Sequence, residues 1–127
     1  MSYESELQRI REEIIQKIDI IQLQKIGRWW GHYREKETNI RKEIEIDIVA
    51  LNETTKEILF GECKWKNNVD GNQILKNLKE KIKYFELSNK LKISEKYYII
   101  LAKSFKKKNM EKNAYYFDLN DLERILT

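Results

Sequence analysis

Two runs of period-2 alternation flank a short polar stretch, and this pairing constrains the chain more than any other feature. The first run, Glu43 to Leu51, reads Glu-Ile-Glu-Ile-Asp-Ile-Val-Ala-Leu, and the second, Ile58 to Lys66, reads Ile-Leu-Phe-Gly-Glu-Cys-Lys-Trp-Lys. Between them Asn52–Glu57 holds no apolar residue, so the stretch predicts a β-hairpin. On strict alternation Ile44, Ile46, Ile48 and Ala50 share one face, and Glu43, Glu45, Asp47, Val49 and Leu51 share the other. A turn centred on Thr54-Thr55 sets Val49 against Phe60, Asp47 against Glu62, Glu45 against Lys64 and Glu43 against Lys66.

Directly opposed side chains have Cβ atoms roughly 4.5–5.5 Å apart, and like charges at that distance are destabilising. A solvated face laced with Glu–Lys pairs accounts for Glu43/Lys66 and Glu45/Lys64, and charged alternation alone is usually that. It accounts poorly for Asp47 against Glu62. Asp is also depleted in strands, yet Asp47 interrupts a run of isoleucines. A divalent cation between the two carboxylates reverses the sign of their interaction. Asp47, Glu62 and Lys64 then form a candidate metal-plus-lysine site.

The remaining composition narrows the setting. At 127 residues the chain is one domain's length, 1–127, with 41% apolar and 36% charged residues and no proline, a globular balance. A net charge of +4 is a mild lean toward polyanions. The single cysteine, Cys63, lies on an apolar strand face and has no internal disulfide partner, which suits a reducing, cytoplasmic setting. No apolar run approaches a membrane span, and the charged N-terminus does not read as a signal peptide. His32, the only histidine, has no zinc-ligand spacing around it.

In chain order, Tyr3, Leu7, Ile10, Ile14 and Ile18 recur at helical spacing over residues 2–18. Glu4 borders that stripe in the first turn and is taken as the carboxylate this helix can best offer a sheet site; a first-turn dipole role serves it equally. Ile20–Tyr33 predicts a strand entering the hairpin sheet. Within it Trp29 and Trp30 sit between glycines, as core packing or as a platform for stacked bases. Arg34–Lys42 reads as a charged loop. Asn67–Gln73 is a turn in which Asp70 and Gln73 have the spacing of a helix cap. Ile74, Leu78, Ile82 and Phe85, with Leu75 beside them, mark the buried stripe of the helix that follows. The apolar run Tyr97–Ala102 predicts a strand buried on both faces, parallel to its neighbour after a helical crossover. Ser104–Lys108 is a basic loop, Ala114–Phe117 a short strand, and Asp118–Leu126 a closing helix. Lys76 and Lys79 on the second helix, with Lys106 and Lys107, are the lysines placed to meet nucleic-acid phosphates; solvated lysines are the ordinary alternative.

Asp47, fourteen intervening residues, then Glu62-Cys63-Lys64 resembles the Asp…Glu-x-Lys signature of the PD-(D/E)XK nuclease superfamily, which includes archaeal Holliday-junction resolvases and restriction-type endonucleases. Three segments, Ile26–Trp30, Glu45–Glu53 and Leu59–Trp65, are similar to the C-terminal domain attached to archaeal-type P-loop ATPases, a domain of uncharacterised role. The likeness covers essentially the whole chain. It implies an α/β fold: a three-layer-type, restriction-endonuclease-like sandwich with a central mixed sheet and the order α-β-β-β-α-β-(α)-β-α. It implies that Asp47, Glu62 and Lys64 are catalytic. Asp47, Glu62, Glu4 and the backbone carbonyl of Cys63 would hold Mg²⁺ or Mn²⁺, and the reaction would be hydrolysis of DNA phosphodiester bonds. The expected partners are DNA, a P-loop ATPase domain in the same or another chain, and a second copy of the chain. No Gly-x-x-x-x-Gly-Lys-Ser/Thr loop is present, so nucleotide binding is not expected of the chain itself. The rival reading is a catalytically silent docking or nucleic-acid-binding module of such an ATPase. Gln73 is assigned mainly to capping and Glu45 to holding Lys64.

Overall fold

The computed structural model describes residues 25–126, and the helix expected over 2–18, with Glu4, lies outside them. Seven strands and two helices follow in order: β1 (Lys25–Arg34), β2 (Arg41–Asn52), β3 (Glu57–Lys64), β4 (Val69–Asp70), α1 (Gly71–Asn89), β5 (Glu95–Ala102), β6 (Phe105–Lys107), β7 (Ala114–Phe117) and α2 (Leu119–Leu126). Five strands form a mixed sheet in the order β1-β2-β3-β5-β7. β1, β2 and β3 are an antiparallel meander, and β5 and β7 add in parallel.

The hairpin register is the one the polar turn predicts. Val49 pairs with Phe60 and Asn52 with Glu57. Asn52 closes the turn, its side-chain oxygen accepting from the backbone N–H of Thr54 and of Thr55 at 3.0 Å. Lys56 takes the left-handed conformation the turn needs, at φ 63°. The tip is then tied to the start of β5, where Ser94 donates to the carbonyls of Lys56 and Thr55.

The run of isoleucines does not stay on one face. Gly27 pairs with Val49 and Trp29 with Ile46, so two residues of β2, Asp47 and Ile48, oppose the single Arg28 of β1. Such a bulge shifts the alternation by one residue. Ile48 and Ala50 therefore pack with Leu59, Ile99, Leu101 and Leu122 on one side of the sheet. Ile46 joins Val49, Phe60, Ile100 and the buried face of α1 on the other. Cys63 packs half-buried with the first group.

Helix α1 begins where Asp70 accepts from the Gln73 backbone N–H at 3.2 Å, as the cap spacing predicts. It buries Leu75, Leu78, Ile82 and Phe85, with Ile74 half-buried at the margin. Phe85 takes two rings edge-on, Trp29 of β1 and Phe60 of β3. Tyr33 of β1 stacks on Tyr84, its ring centroid 4.6 Å away. The sequence made Trp29 and Trp30 alternatives between core and surface; Trp29 is packed, and Trp30 is 60% exposed.

Two expectations fail around α1. The turn at Asn67–Gln73 and the basic loop at Ser104–Lys108 instead contribute β4 and β6, which pair in parallel as a separate two-stranded sheet at the start of α1. No helix lies between β5 and β7 among the described residues. Strands this short carry no readable period; β4 follows the end of β3 and β6 the end of β5, and the parallel β3–β5 pair brings the two together.

Gly61 pairs with Ile48 in the middle of the sheet. A Cβ there would meet Ile99 Cγ2 at 2.7 Å and Ile48 at 3.0 Å, both on fully buried side chains. Gly61→Ala is expected to lower stability by about 1–3 kcal/mol through overpacking, read as a lower urea midpoint at unchanged m-value. An unchanged midpoint would mean that β2 and β5 separate freely at this point.

Candidate functional site

The bulge also fixes where β2 and β3 part. Their ladder ends at the pair Ile48–Gly61. Beyond it the Asp47 side chain takes over: Oδ2 accepts from the Cys63 backbone N–H at 2.9 Å. This holds Asp47 beside Glu62, close enough that its charge raises the Glu62 carboxyl. The expected meeting of Asp47 and Glu62 is thus present, with a side chain replacing the backbone ladder.

Glu62 is only 4% exposed. Its partner comes from an element that sequence reasoning did not connect to it. Lys81 on α1 donates to Glu62 Oε1 at 2.6 Å and to the backbone carbonyl of Glu45 at 2.9 Å. Burial and the Asp47 charge outweigh this ammonium and push the Glu62 carboxyl up from 4.5 to about 7. Lys64 lies two residues beyond Glu62 at the end of β3, exposed, and makes no ion pair among the described residues.

The other expected cross-strand pairs are not made. Glu45 lies 3.4 Å from Arg28 rather than holding Lys64, and Glu43 lies 3.9 Å from Arg41 rather than from Lys66. The cause is the bulge: beyond Ile48, β2 pairs only with β1. The Gln73 side chain donates to Asn77, one turn on, and does not reach the carboxylates.

The expected phosphate lysines stand apart from this pair. Lys76 and Lys79 line a groove of about 360 Å³ with Lys83, Asn72 and Asn109. Lys79 is committed there, to Glu111 and to the Tyr98 ring at 5.2 Å. Since Lys79 reaches β5 while Lys81 reaches β2 and β3, the two lie on opposite edges of α1. Lys106 and Lys107 are exposed on β6, with Lys107 in register with Asp70.

Among the described residues no three His, Cys, Asp or Glu side chains converge as a metal-binding set. Asp47 and Glu62 would offer a metal two hard oxygen donors, and the carbonyl of Cys63, between Glu62 and Lys64 in sequence, a third of the same kind. The donor chemistry therefore fits Mg²⁺ or Mn²⁺, and the raised Glu62 carboxyl is what a buried pair lacking a full counter-charge should show. Glu4, the expected fourth ligand, is outside the described residues.

The raised carboxyl has a consequence for folding. In the unfolded chain Glu62 releases its proton near 4.5, and in the folded chain it retains it to about 7. Between these values the folded state binds more protons, so stability must fall as pH rises and level off above about 7. For a buried group the loss is on the order of 3 kcal/mol. In EDTA, the denaturation midpoint of wild type is expected to decline from pH 5 to 7.5 more steeply than that of Glu62→Gln. Parallel pH profiles would refute the buried-acid description.

Residues 3–82 match a family model, DUF234, described as archaeal and bacterial proteins of unknown function. An uncharacterized protein of Methanocaldococcus jannaschii is 38% identical over 99 residues, which are 76% of this chain and 19% of that protein. The chain therefore spans about a fifth of the length of this relative. No solved structure matches the chain. The family match covers Asp47, Glu62, Lys64 and Lys81 together, and on it the chain belongs to the DUF234 family.

Proposed function

We propose that this domain is a metal-dependent phosphodiesterase acting on DNA, built on a three-layer, restriction-endonuclease-like fold of the PD-(D/E)XK type. The observation that carries the reading is Asp47, held by the Cys63 N–H, next to the buried Glu62 near the end of β3, with exposed Lys64 two residues on. A structural sheet gains nothing from two opposed carboxylates, whereas a hard divalent cation needs them.

Asp47, Glu62 and the Cys63 carbonyl are the groups assigned to hold Mg²⁺ or Mn²⁺, with Glu4 from the preceding segment as the further carboxylate. Bound there, the ion supplies polarisation of a phosphodiester and an acidified water. The chain's own residues do the rest. The Cys63 N–H fixes the Asp47 carboxylate, so the ligand is oriented before any substrate arrives. Lys64 shares the strand face of Glu62 by alternation, and its exposed ammonium is positioned to neutralise charge that builds on the phosphate. Lys76, Lys106 and Lys107 contribute phosphate contacts without base reading, so DNA affinity should weaken steeply with salt.

The silent-module reading has one observation in its favour: Lys81 already gives Glu62 a counter-ion. A P-loop ATPase as partner, in the same or another chain, belongs with either reading, since this chain spans only about a fifth of its archaeal relative.

Purified protein with Mn²⁺ or Mg²⁺ is expected to nick supercoiled DNA, and Lys64→Ala to abolish nicking while leaving the melting temperature within a degree or two. Cleavage that survives in Lys64→Ala, or that separates from wild type on purification, would leave the silent module as the better account.

Asp47→Asn gives a second test, free of any activity assay. The amide oxygen can still accept from the Cys63 N–H, while the repulsion with Glu62 disappears. In EDTA the variant should melt at or slightly above the wild-type temperature. Added Mg²⁺ should raise the melting temperature of wild type in proportion to the logarithm of its concentration, and that rise should shrink or vanish in the variant. A clear loss of stability in EDTA, with no metal response in either protein, would make Asp47 a structural residue.

A further inference from the structure

We propose that Lys81 is a stand-in cation for the carboxylate pair: its ammonium occupies Glu62 while no divalent ion is bound, and it is displaced from Glu62 when one binds. The inference rests on the reading of Asp47 and Glu62 as metal ligands and goes beyond it by assigning a competing group.

Three observations carry it. First, an ionised Glu62 needs a cationic partner. At 4% exposure, an ionised carboxylate with another beside it costs several kcal/mol unless a cation is bonded to it. Second, the ammonium that meets this need lies within 2.6 Å of Oε1, one of the two oxygens the carboxylate has to offer a metal. A lysine and a divalent ion cannot both bond that oxygen without strong repulsion. Third, the two partners differ in freedom. Glu62 is fixed inside the sheet, whereas the Lys81 side chain is about one-third exposed (32%) on a flexible four-carbon stem. The cation is therefore the component that moves.

The second acceptor defines where it goes. Lys81 also donates to the Glu45 carbonyl at 2.9 Å, on the stretch of β2 that has already left β3 at the bulge. An ammonium has three donors. Released from Glu62, Lys81 keeps this anchor and stays at the rim of the site with its charge turned outward. Lys81 is thus a positioning residue: without a metal it holds the Glu62 carboxylate in place, and it sets the concentration of metal needed to displace it.

The test is Mn²⁺ binding by calorimetry at pH 8, where Glu62 is ionised, with melts in EDTA and in Mn²⁺. Wild type is compared with Lys81→Met, Lys81→Gln, Lys81→Arg and Lys83→Met. Lys83 pairs with Glu80 on the helix surface and removes the same charge elsewhere. Lys81→Met should melt lower than wild type in EDTA, bind Mn²⁺ on the order of tenfold more tightly, and gain more from Mn²⁺ in the melt. Lys81→Gln retains a donor to Glu62 without the charge and should also bind more tightly, which keeps the test open if the methionine variant does not fold in EDTA. Folding of that variant only with Mn²⁺ is the extreme form of the same result. Lys81→Arg and Lys83→Met should keep the wild-type affinity. Equal or weaker Mn²⁺ binding by Lys81→Met and Lys81→Gln, with wild type binding normally, overturns the stand-in role and leaves the metal site intact. Absence of binding in wild type and in both variants overturns the metal site itself. Binding by the variants alone supports the stand-in and shows that it outcompetes the ion.

Discussion

One extra residue in β2, inserted between its pairings with Trp29 and Gly27, decides how both faces of the sheet are used. Without it, Ile46 and Ile48 would lie on the same side, and one of the two cores would lose a fully buried side chain. With it, each layer receives an isoleucine. At the same point the β2–β3 ladder stops and the Asp47 carboxylate takes over the Cys63 N–H. The hydrogen bond gives the Cys63 N–H a side-chain acceptor where the β2–β3 ladder ends. It also brings Asp47 against Glu62, so the fold and the candidate site depend on the same irregularity.

The buried carboxylate carries an energetic cost. Desolvation of Glu62 and its contact with Asp47 work against folding; the Lys81 ammonium offsets them only in part, since the carboxyl is still pushed up to about 7. A hydrophobic residue at position 62, on the side of the sheet from which Lys81 of α1 reaches it, would avoid that cost. On the proposed reading, a bound ion would offset that cost and stabilise the folded chain.

Much of this was legible in the sequence, and the reasons are local. The six-residue polar segment fixed the hairpin register, because a turn flanked by alternating runs allows few alternatives. The unbroken apolar run at Tyr97–Ala102 gave a parallel inner strand, and Asp70 with Gln73 gave the start of α1. The bulge was not legible as a bulge, since the alternation of Ile44, Ile46 and Ile48 runs through it without a glycine. Its one trace was Asp47, a poor strand residue among isoleucines, which was read as chemistry alone and is chemistry and geometry at once. Lys81 was hidden by symmetry. At 100° per residue Lys79 and Lys81 lie about 80° to either side of the stripe formed by Leu75, Leu78, Ile82 and Phe85. Nothing in the helix says which edge will lie over β3 and which over β5; only the assembled sheet does.

The most direct measurement of the account is anomalous diffraction from crystals equilibrated with Mn²⁺. A single anomalous peak at coordination distance from the Asp47 and Glu62 carboxylates, with the Lys81 ammonium withdrawn from Glu62 and still near the Glu45 carbonyl, is the predicted result. A Lys81 ammonium still bonded to Glu62 at millimolar Mn²⁺, with no peak beside Asp47, would contradict it.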